Sequence, residues 1–453
     1  MFTNKTSLIL DNPSQLNYGV AVTDVDQDGA FEIYVAGFGF RNLVLKWNGA
    51  RFVDIADPML ADKQRQAIGL AACDLDGDGN EEIYILNTDT FGGTKRFGDR
   101  LLDYADGEWT DLFMVPVNQG VANLVAGRSV ACVDRKGSGS YGFIVANYGG
   151  PLRLYELDED GFLEDVAPQI GLNLVTGGRS LLSLPLVSDA MDIFAGNELG
   201  PNFLFVNQGD GTFREIAAQA GISDQYEHVR GVAVLDSNSN GYFDLVYGNW
   251  EGTHRMFVQE KPGLFSNCTP HKMSAPSKIR TVLAADFDND GYEEIFFNNM
   301  GQPNRLFGWR DGEWKPIDLG DALEPSGMGT GAAYGDFDGD GRLELLVSHG
   351  ESAMQPLTLY HTPRNDNSWL RVLPLTASGA PARGAVVRLA SGNRTQMRVI
   401  DAGSGYLCQM EPVAHFGLGN NSDVVFVEIR WPDGVEVRLE QPSTGTLLKV
   451  PHP

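Results

Sequence analysis

The sequence predicts an all-β protein, a seven-bladed β-propeller with calcium loops followed by a small, β-rich, sandwich-like C-terminal domain. Three observations lead to this prediction. An acidic nine-residue motif recurs along the chain, three of the intervals between its copies are 50 residues, and short apolar segments flank the copies. A repeat of this length built from short strands is typical of propellers, in which a closed ring of blades protects the sheet edges.

The repeated motif has the composition of a cation-binding loop. Its first, third and fifth positions are acid or amide, its sixth is glycine and its ninth is an acid. Side chains in this arrangement can point to one centre, and glycine allows the tight bend that brings them there. Because every candidate ligand is an oxygen, we expect Ca²⁺ at about five sites, with Mg²⁺ possible at some. The predicted metal ligands are Asp24, Asp26, Asp28, Glu32; Asp74, Asp76, Asp78, Glu82; Asp236, Asn238, Asn240, Asp244; Asp286, Asp288, Asp290, Glu294; and Asp336, Asp338, Asp340, Glu344.

The flanks of the motif place it between strands. An EF-hand loop closes with a Glu at its twelfth position and lies between helices, whereas this motif closes at its ninth, between apolar segments such as residues 19–23 and 32–35. The Asp236 copy has two carboxylates and two amides, so we expect it to bind a cation most weakly.

Two degenerate units complete the predicted ring. One retains the turn at Asp134 but has lost the ligands, and the other lies at residues 186–192. A second element, a Gly-rich turn followed by an aromatic residue, occurs at residues 48–52, 106–109, 160–162, 209–213, 262–265 and 311–314. We expect the missing outer strand to come from the N-terminus, at residues 2–6, and to close the last blade.

The repeats resemble the FG-GAP, or VCBS, repeats of integrin α-subunit propellers, whose calcium loops join the two inner strands of each blade. After residue 365 a different series follows, at residues 367–370, 382–386, 403–409, 415–419 and 431–434. This series resembles the ASPIC/UnbV domain of the cartilage acidic protein family and its bacterial members. We therefore expect a propeller over residues 1–364 and an ASPIC/UnbV domain over residues 365–453.

Composition limits the partners. A formal net charge of −26 argues against nucleic acid as a partner, and no apolar run reaches the length of a membrane span. The start of the chain lacks a signal-peptide pattern, which predicts a cytoplasmic protein if Met1 is the native start. The resemblance favours secretion as the alternative. Cys73 and Cys132 are expected to be buried free thiols.

A set of arginines recurs with the motif and suggests a second site. Arg128, Arg230 and Arg280 each precede a first acid by six positions, and Arg179 occupies the matching place in the fourth unit. Because each inner strand ends in its loop, these residues should lie at the opposite rim, near the central channel. Guanidinium groups suit carboxylate or phosphate, so we expect an anion-recognising mouth there. The alternative is that these arginines pair with acids between blades, and the hypothesis fails if they point away from the channel.

Two classes of function follow from this mouth, which would bind a small anionic molecule or a protein partner. The first is a binding module. The second, implied by similarity to calcium-bound propellers of natural-product pathways, is a calcium-dependent cyclase, alkylating enzyme or isomerase. In an enzyme, Arg128, Arg179, Arg230 and Arg280 would hold an anionic group, while other residues near the rim would move a proton. The proton-transfer candidates are Glu198, His228, His254 and Tyr148.

Overall fold

The computed structural model describes residues 1–105, 107–392, 394–421 and 423–453. Asp106, the first residue of the predicted turn at 106–109, lies outside the described residues. Almost all regular structure is β. The helical segments among the described residues are short: α1 (Pro58–Ala61), α2 (Ala217–Ala220) and the 3-10 turns Thr6–Leu8, Leu112–Met114, Pro116–Asn118, Ala167–Gln169 and Asp321–Leu323.

Seven blades, each of four antiparallel strands, confirm the predicted propeller over the described part of the chain. The chain begins with β1 (Thr3–Asn4), which belongs to the last blade. Blade 1 contains β2 (Asn17–Thr23), β3 (Glu32–Gly37), β4 (Leu43–Trp47) and β5 (Phe52–Asp54). Blade 2 contains β6 (Ala67–Cys73), β7 (Glu82–Asn87), β8 (Arg100–Ala105) and β9 (Glu108–Asp111). Blade 3 contains β10 (Gly127–Val133), β11 (Gly142–Pro151), β12 (Arg153–Leu157) and β13 (Leu163–Asp165).

The remaining blades follow the same order, and blade 7 takes β1 as its outer strand. Blade 4 contains β14 (Val175–Leu184), β15 (Asp192–Asn197), β16 (Phe203–Asn207) and β17 (Phe213–Glu215). Blade 5 contains β18 (Val229–Leu235), β19 (Asp244–Asn249), β20 (Arg255–Lys261) and β21 (Leu264–Asn267). Blade 6 contains β22 (Ile279–Ala285), β23 (Glu294–Asn299), β24 (Arg305–Arg310) and β25 (Glu313–Ile317). Blade 7 contains β26 (Gly329–Gly335), β27 (Glu344–His349) and β28 (Thr358–His361), and β1 pairs with β28 at Thr3–His361 and Asn4–Tyr360.

The two inner strands of each blade are almost wholly buried, because neighbouring blades cover both of their faces. The buried thiols Cys73 and Cys132 lie in such strands, as predicted.

Inner strands also share an irregularity near their first residues. The register between the two inner strands shifts there in every blade, as at Gly127–Ser129 and Ile279–Thr281. A bulge of this kind redirects a side chain out of the sheet.

The C-terminal domain consists of two packed sheets. Its strands are β29 (Ser368–Pro374), β30 (Val386–Ser391), β31 (Arg394–Val399), β32 (Ala414–Gly419), β33 (Val424–Arg430), β34 (Glu436–Glu440) and β35 (Leu447–Val450). One sheet has the order β32-β29-β35 and the other β31-β30-β33-β34. Leu370, Phe416 and Trp431 lie in the core between the sheets. Among the described residues no helix has the length and apolar character needed to span a bilayer.

The C-terminal domain sends a segment through the centre of the propeller. We call residues 401–411 the plug segment. Its backbone pairs with inner strands: Gln409 N donates to Val20 O at 2.9 Å, Gly405 N to Val232 O at 2.7 Å, and Cys132 N to Ala402 O at 2.7 Å. The innermost strand of a blade has one unpaired edge, so these bonds satisfy backbone groups that face the channel.

Candidate functional site

Each of the five acidic loops is held by the same hydrogen bonds. The first acid accepts the backbone N–H of the glycine, as from Gly29 to Asp24 at 2.8 Å. The ninth-position acid accepts the N–H of the second residue, as from Val25 to Glu32 at 2.8 Å. These bonds fix the orientation of both acids in each loop.

Carboxylate oxygens converge in four of the five loops. Within each cluster one oxygen per acid lies within 4.8 Å of the others. The clusters are Asp24, Asp26 and Glu32 in blade 1; Asp74, Asp76 and Asp78, and Asp76, Glu82 and Asp103, in blade 2; Asp286, Asp288 and Asp290 in blade 6; and Asp338, Asp340, Glu344 and His361 in blade 7. The Asp236 loop of blade 5 contributes no such cluster among the described residues, because two of its predicted ligands are amides.

Several of these acids are buried without a partner for their inner oxygen. Glu82 Oε1, Asp286 Oδ1 and Asp336 Oδ1 accept no hydrogen bond from the described residues. Burial and the neighbouring acids raise the pKa of Glu82 to about 9 and that of Glu344 to about 8. A cluster of this kind is unfavourable without a cation, so the donor set and the orphaned oxygens fit a hard divalent ion.

The loops differ in the side chain that reaches them from the third strand of the blade. Lys46 lies 2.6 Å from Asp28 in blade 1, Arg310 lies 2.7 Å from Glu294 in blade 6, and His361 lies 2.8 Å from Glu344 in blade 7. Blade 2 instead carries a further acid, Asp103, and none of its described residues supplies a positive charge to the cluster. Blade 2 therefore holds the largest uncompensated negative charge among the loops.

In the two degenerate loops, other interactions take the place of the acidic cluster. In blade 3, Arg135 makes a bidentate ion pair with Glu156, with Nε 2.6 Å from Oε1. In blade 4, Asp192 accepts hydrogen bonds from Val187 N and Ser188 N at 2.7 and 2.8 Å.

The C-terminal domain covers the loop face and contacts three first acids directly. Gly417 N donates to Asp286 Oδ2 at 3.0 Å, Ser378 Oγ donates to Asp74 Oδ2 at 2.6 Å, and Arg371 Nη1 lies 3.0 Å from Asp336 Oδ2. His415, in the domain signature, bonds Asn289 Oδ1 at 2.6 Å through Nε2. The loops and the C-terminal domain therefore form one continuous polar interface.

At the opposite face, the bulged residues of the inner strands line a cavity of about 450 Å³. These residues occupy one register position in successive blades, and their side chains point into the central channel. They are Tyr18, Ile68, Arg128, Arg179, Arg230 and Arg280. Phe38, Phe91, Trp250, Tyr406 and Leu407 add aromatic and apolar walls. The four predicted arginines thus come together at one mouth.

Acids of this chain partly neutralise the arginines. Glu198 lies between Arg179 and Arg230, 2.9 Å from Arg230 Nη2, and Glu351 pairs with Arg280. Burial opposes ionisation of Glu198, but the charges of Arg230 and Arg179 outweigh it and lower the pKa of the carboxyl. Arg128 pairs with none of the described acids and donates instead to the carbonyl oxygen of Phe91 at 2.6 Å. The cavity lining contains four guanidinium groups and three carboxylates, so it keeps one excess positive charge.

The plug segment supplies the floor of the cavity. Tyr406 and Leu407 form the tip of the turn between Ser404 and Cys408, and the Tyr406 ring centroid lies 5.7 Å from the Arg280 guanidinium. Burial raises the pKa of Tyr406, but Arg179, Arg280, Arg230 and Arg128 outweigh that effect and lower it below its usual value. The C-terminal domain thus contributes a residue to a site on the far side of the propeller.

Two predicted proton-transfer residues lie beside the cavity. Tyr148 stacks under Arg179, whose guanidinium is 4.6 Å from its ring centroid, and His228 Nδ1 lies 3.8 Å from Glu198 Oε1. Glu198 itself lines the cavity.

His254, the fourth proton-transfer candidate, does not join the others. It is fully buried and accepts the backbone N–H of Asn249 at 3.0 Å, as the side chains of Asn42, Asn202 and Asn304 do at the same place in other blades. Burial and nearby arginines lower the pKa of His254 to about 3. His254 therefore braces the loop of blade 5 as a neutral side chain.

The cavity also contains residues that the sequence reasoning did not select. Tyr18 and Ile68 stand six positions before Asp24 and Asp74, so the same spacing could have located them. Glu351 stands fifteen positions after Asp336, as Asp89 and Glu251 do after Asp74 and Asp236, so spacing could have located it too. Phe91 comes from a loop of irregular length and Tyr406 from another domain, and no repeat in the sequence points to these two.

Comparisons with known families match both parts of the chain. The FG-GAP-like repeat matches residues 24–85, 189–247, 236–297 and 286–347, and the ASPIC and UnbV family matches residues 375–453. The fold and the acidic loops thus define a protein that joins an FG-GAP-like repeat propeller to an ASPIC and UnbV domain. Cartilage acidic protein 1 of Xenopus tropicalis is 50% identical over 478 aligned residues, covering 96% of this chain and 74% of the relative. The human protein of that name is 48% identical, covering 100% of this chain and 75% of the relative. This chain belongs to the cartilage acidic protein 1 family.

Solved structures share the fold at low sequence identity. The BP39L lectin from Burkholderia pseudomallei has a TM-score of 0.50 and 12% identity, covering 78% of this chain and 99% of the lectin chain. YCF48 from Cyanidioschyzon merolae has a TM-score of 0.48 and 11% identity, covering 80% of this chain and 98% of that chain. At such identity the likeness to the lectin concerns the fold alone.

Proposed function

We propose that this protein is a calcium-braced propeller that recognises a small anionic ligand at the arginine mouth. The observation that carries the proposal is the convergence of four arginines from consecutive blades on one cavity, of which only three pair with described acids. The cavity volume suits a small molecule or the end of a larger one. In a chain of net charge −26, a locally positive cavity is a specific feature.

The cation half of the proposal rests on the loops. The ligand set is the oxygens of the five predicted loops, and a bound Ca²⁺ would neutralise carboxylates that burial otherwise keeps from ionising together. Blade 2 should bind most tightly, since Asp103 adds charge. Blades 1 and 6 should bind less tightly because Lys46 and Arg310 compete for the same oxygens. The blade 5 loop should have the lowest affinity for Ca²⁺. Mg²⁺ is possible in the loops that contain fewer acids.

The anion half is testable with a matched pair of arginines. Arg128 donates to the Phe91 carbonyl, and its guanidinium lies 5.5 Å from the ring centroid of that residue. Arg65, outside the cavity lining, donates to the Gly98 carbonyl at 2.7 Å and lies 5.7 Å from the Phe97 ring centroid. Calorimetric titration with inorganic phosphate should show binding that Arg128→Gln weakens and Arg65→Gln leaves unchanged. Equal affinity in all three proteins, or no binding at all, would rule out anion recognition at this mouth.

A protein partner is a second candidate, favoured by apolar residues on the same face. Leu199 and Tyr226 are 74% and 85% exposed on mouth-side loops, and Phe91, Val175 and Met354 are exposed nearby. Exposed apolar side chains gathered on one face often mark an interaction surface. A partner retained by the wild-type protein and lost by the Leu199→Ser, Tyr226→Ser variant would support this candidate. Equal retention by both would count against it.

The catalytic alternative, a calcium-dependent cyclase or isomerase of a natural-product pathway, is favoured by one observation. Glu198 and Tyr406 line the same arginine-rich cavity and offer a base and an acidic hydroxyl there. A product formed from small-molecule extracts by the wild type and lost in Arg280→Gln would support it. If the wild-type protein forms no product from the extracts, binding without catalysis is favoured.

The family relatives bear on location. Their name refers to cartilage, which favours the secreted alternative for this chain. Extracellular calcium, at about millimolar level, would fill even sites of modest affinity. Secretion is tested by expressing the natural gene and measuring the protein in cells and in medium.

A further inference from the structure

The tip of the plug segment places a phenol hydroxyl among the four arginines. Tyr406 is 6% exposed and lines the cavity together with Arg128, Arg179, Arg230 and Arg280. The Arg280 guanidinium lies 5.7 Å from the ring centroid, and the charges of the four arginines lower the pKa of the hydroxyl. A hydroxyl so placed is available to a ligand in the cavity.

The backbone holds this tip in a defined position. Leu407 has a φ of 63°, in the left-handed region that non-glycine residues rarely adopt, and Gly405 has a φ of 58°. Gly405 exchanges two backbone hydrogen bonds with Val232, and Ser404 pairs with Cys408. Strained residues that surrounding contacts hold in place are characteristic of ligand sites, where preorganisation is useful.

Two arginines present buried donors that the protein does not use. Arg128 and Arg280 are 8% and 5% exposed, and Nε of Arg128 and Nη1 of Arg280 have no acceptor among the described residues. Glu351 binds Arg280 through Nε and Nη2, which leaves the Nη1 edge free. Buried, unpaired donors are unfavourable, and an acceptor entering the cavity would relieve that cost.

The directions of these donors select the shape of the acceptor. They come from blades 3 and 6, on different sides of the channel, while the Tyr406 hydroxyl comes from the floor, so the three groups approach a bound ligand from different directions. A carboxylate presents two oxygens in one plane, whereas a phosphate or sulfate group presents oxygens in several directions. We propose that the mouth binds the tetrahedral oxyanion of a phosphate or sulfate group, with the Tyr406 hydroxyl as one of its donors.

The walls of the cavity indicate what the oxyanion is attached to. Phe91 and Trp250 line the cavity beside the arginines, and the Trp250 ring centroid lies 3.9 Å from the Arg280 guanidinium. Phe91 is 66% exposed, so its ring offers apolar surface beside the arginines on which a ring of the ligand can stack. A free ion would leave this wall in contact with water, so an ester carrying a ring is the fuller match. This inference rests on the proposed anion recognition and specifies its chemistry.

Titration calorimetry of the calcium-loaded chain tests the proposal with four probes: inorganic phosphate, sulfate, phenyl phosphate and benzoate. Phosphate and phenyl phosphate should bind, benzoate should bind at least tenfold more weakly, and Tyr406→Phe should weaken phosphate binding about tenfold. The matched control is Tyr104→Phe, whose ring packs against Trp109 outside the cavity lining, and it should change nothing. Tighter binding of phenyl phosphate than of phosphate identifies an ester as the ligand class, and equal binding identifies the free ion; both support the proposal. Tighter binding of benzoate would overturn it.

A spectroscopic measurement distinguishes direct contact between the Tyr406 hydroxyl and the oxyanion from an indirect effect of the Tyr406 ring on packing. The charged or titratable groups that line the cavity with Tyr406 are Arg128, Arg179, Arg230, Arg280, Asp89, Glu198, Glu351 and Tyr18. Because a tyrosinate cannot donate to an oxyanion, phosphate should shift the alkaline titration of tyrosinate absorbance to higher pH in the wild type and not in Tyr406→Phe. Equal absorbance changes in both proteins would overturn the role of Tyr406. If Arg128→Gln loses phosphate and Tyr406→Phe does not, anion recognition stands and this inference fails; if neither variant loses phosphate, both fail.

Discussion

Arg371 of the C-terminal domain lies 3.0 Å from Asp336 Oδ2, the first acid of the blade 7 loop. The same guanidinium pairs with Glu411, the last residue of the plug segment. A change in the charge of the blade 7 loop therefore alters the electrostatic environment of Arg371, which also binds the plug segment. Because the plug segment carries Tyr406, this one segment connects the loop face to the mouth.

Chelation of calcium should destabilise the chain and release its C-terminal domain. Each site that is loaded at about 100 times its Kd adds about 2.7 kcal/mol to the free energy of unfolding, and this is lost in chelator. Scanning calorimetry should therefore record a marked fall in Tm. Limited proteolysis in chelator should cut between propeller and C-terminal domain earlier than in calcium. An unchanged Tm in chelator would contradict the assignment of the loops.

Glu82→Gln should have opposite effects with and without calcium. In chelator the pKa of Glu82 is raised to about 9, so its stabilising contribution is lost as pH rises from the unfolded value of 4.5 toward 9. At pH 7 the glutamine should avoid that penalty and stabilise the chain by about 2 to 3 kcal/mol. In calcium it should lower Tm, because a ligand is lost. Urea unfolding in both buffers measures the sign of the change in the free energy of unfolding.

Glu32→Gln is the control for this inversion. Glu32 lies 3.3 Å from Lys46, and burial raises its pKa only to about 7. In chelator the gain from Glu32→Gln should therefore stop growing near pH 7, whereas the gain from Glu82→Gln should keep growing toward pH 9. Equal gains in both variants at pH 9 would mean that desolvation alone, and not the missing countercharge in blade 2, sets the behaviour of Glu82.

His254→Asn should remove part of the acid sensitivity of the fold. The pKa of His254 is lowered to about 3, so its neutral form is required, and stability is full above pH 6.5 and falls as pH decreases. Between pH 6.5 and 5 the histidine costs about 2 kcal/mol of the free energy of unfolding. Asparagine occupies this place in blades 1, 4 and 6, so the variant should fold. Urea midpoints at the two pH values check this; parallel losses in both proteins would refute it.

The ion pair between Arg383 and Glu81 should stabilise the domain interface only as a pair. Arg383 is fully buried, donates to both oxygens of Glu81 and reaches the carbonyl of Val22 at 3.1 Å. Arg383→Met alone should lose about 3 to 5 kcal/mol, because it leaves Glu81 buried and unpaired. Adding Glu81→Leu should recover part of that loss. A double-mutant cycle by urea unfolding measures the coupling, and strictly additive losses would contradict it.

The spacing of the acidic motif in the sequence predicted the positions of those residues that recur from blade to blade in the structure. Arg128 and Arg280 could be placed at the channel because the same bulge recurs six positions before each first acid. Residues outside the repeat could not be placed. Lys46 and Arg310 reach their loops from different register positions, and Tyr406 enters from another domain. His254 was misassigned to the mouth because its capping role is visible only when its hydrogen bond is compared with those of Asn42, Asn202 and Asn304.

Anomalous diffraction from crystals of the calcium-loaded chain soaked in selenate tests the central claim most directly. Selenate is a tetrahedral oxyanion that carries its own anomalous scatterer. Recognition at the arginine mouth predicts a selenium peak between Arg128, Arg280 and the Tyr406 hydroxyl, with oxygens within hydrogen-bond distance of all three. A cavity without a selenium peak, in crystals that take up selenate elsewhere, would contradict it.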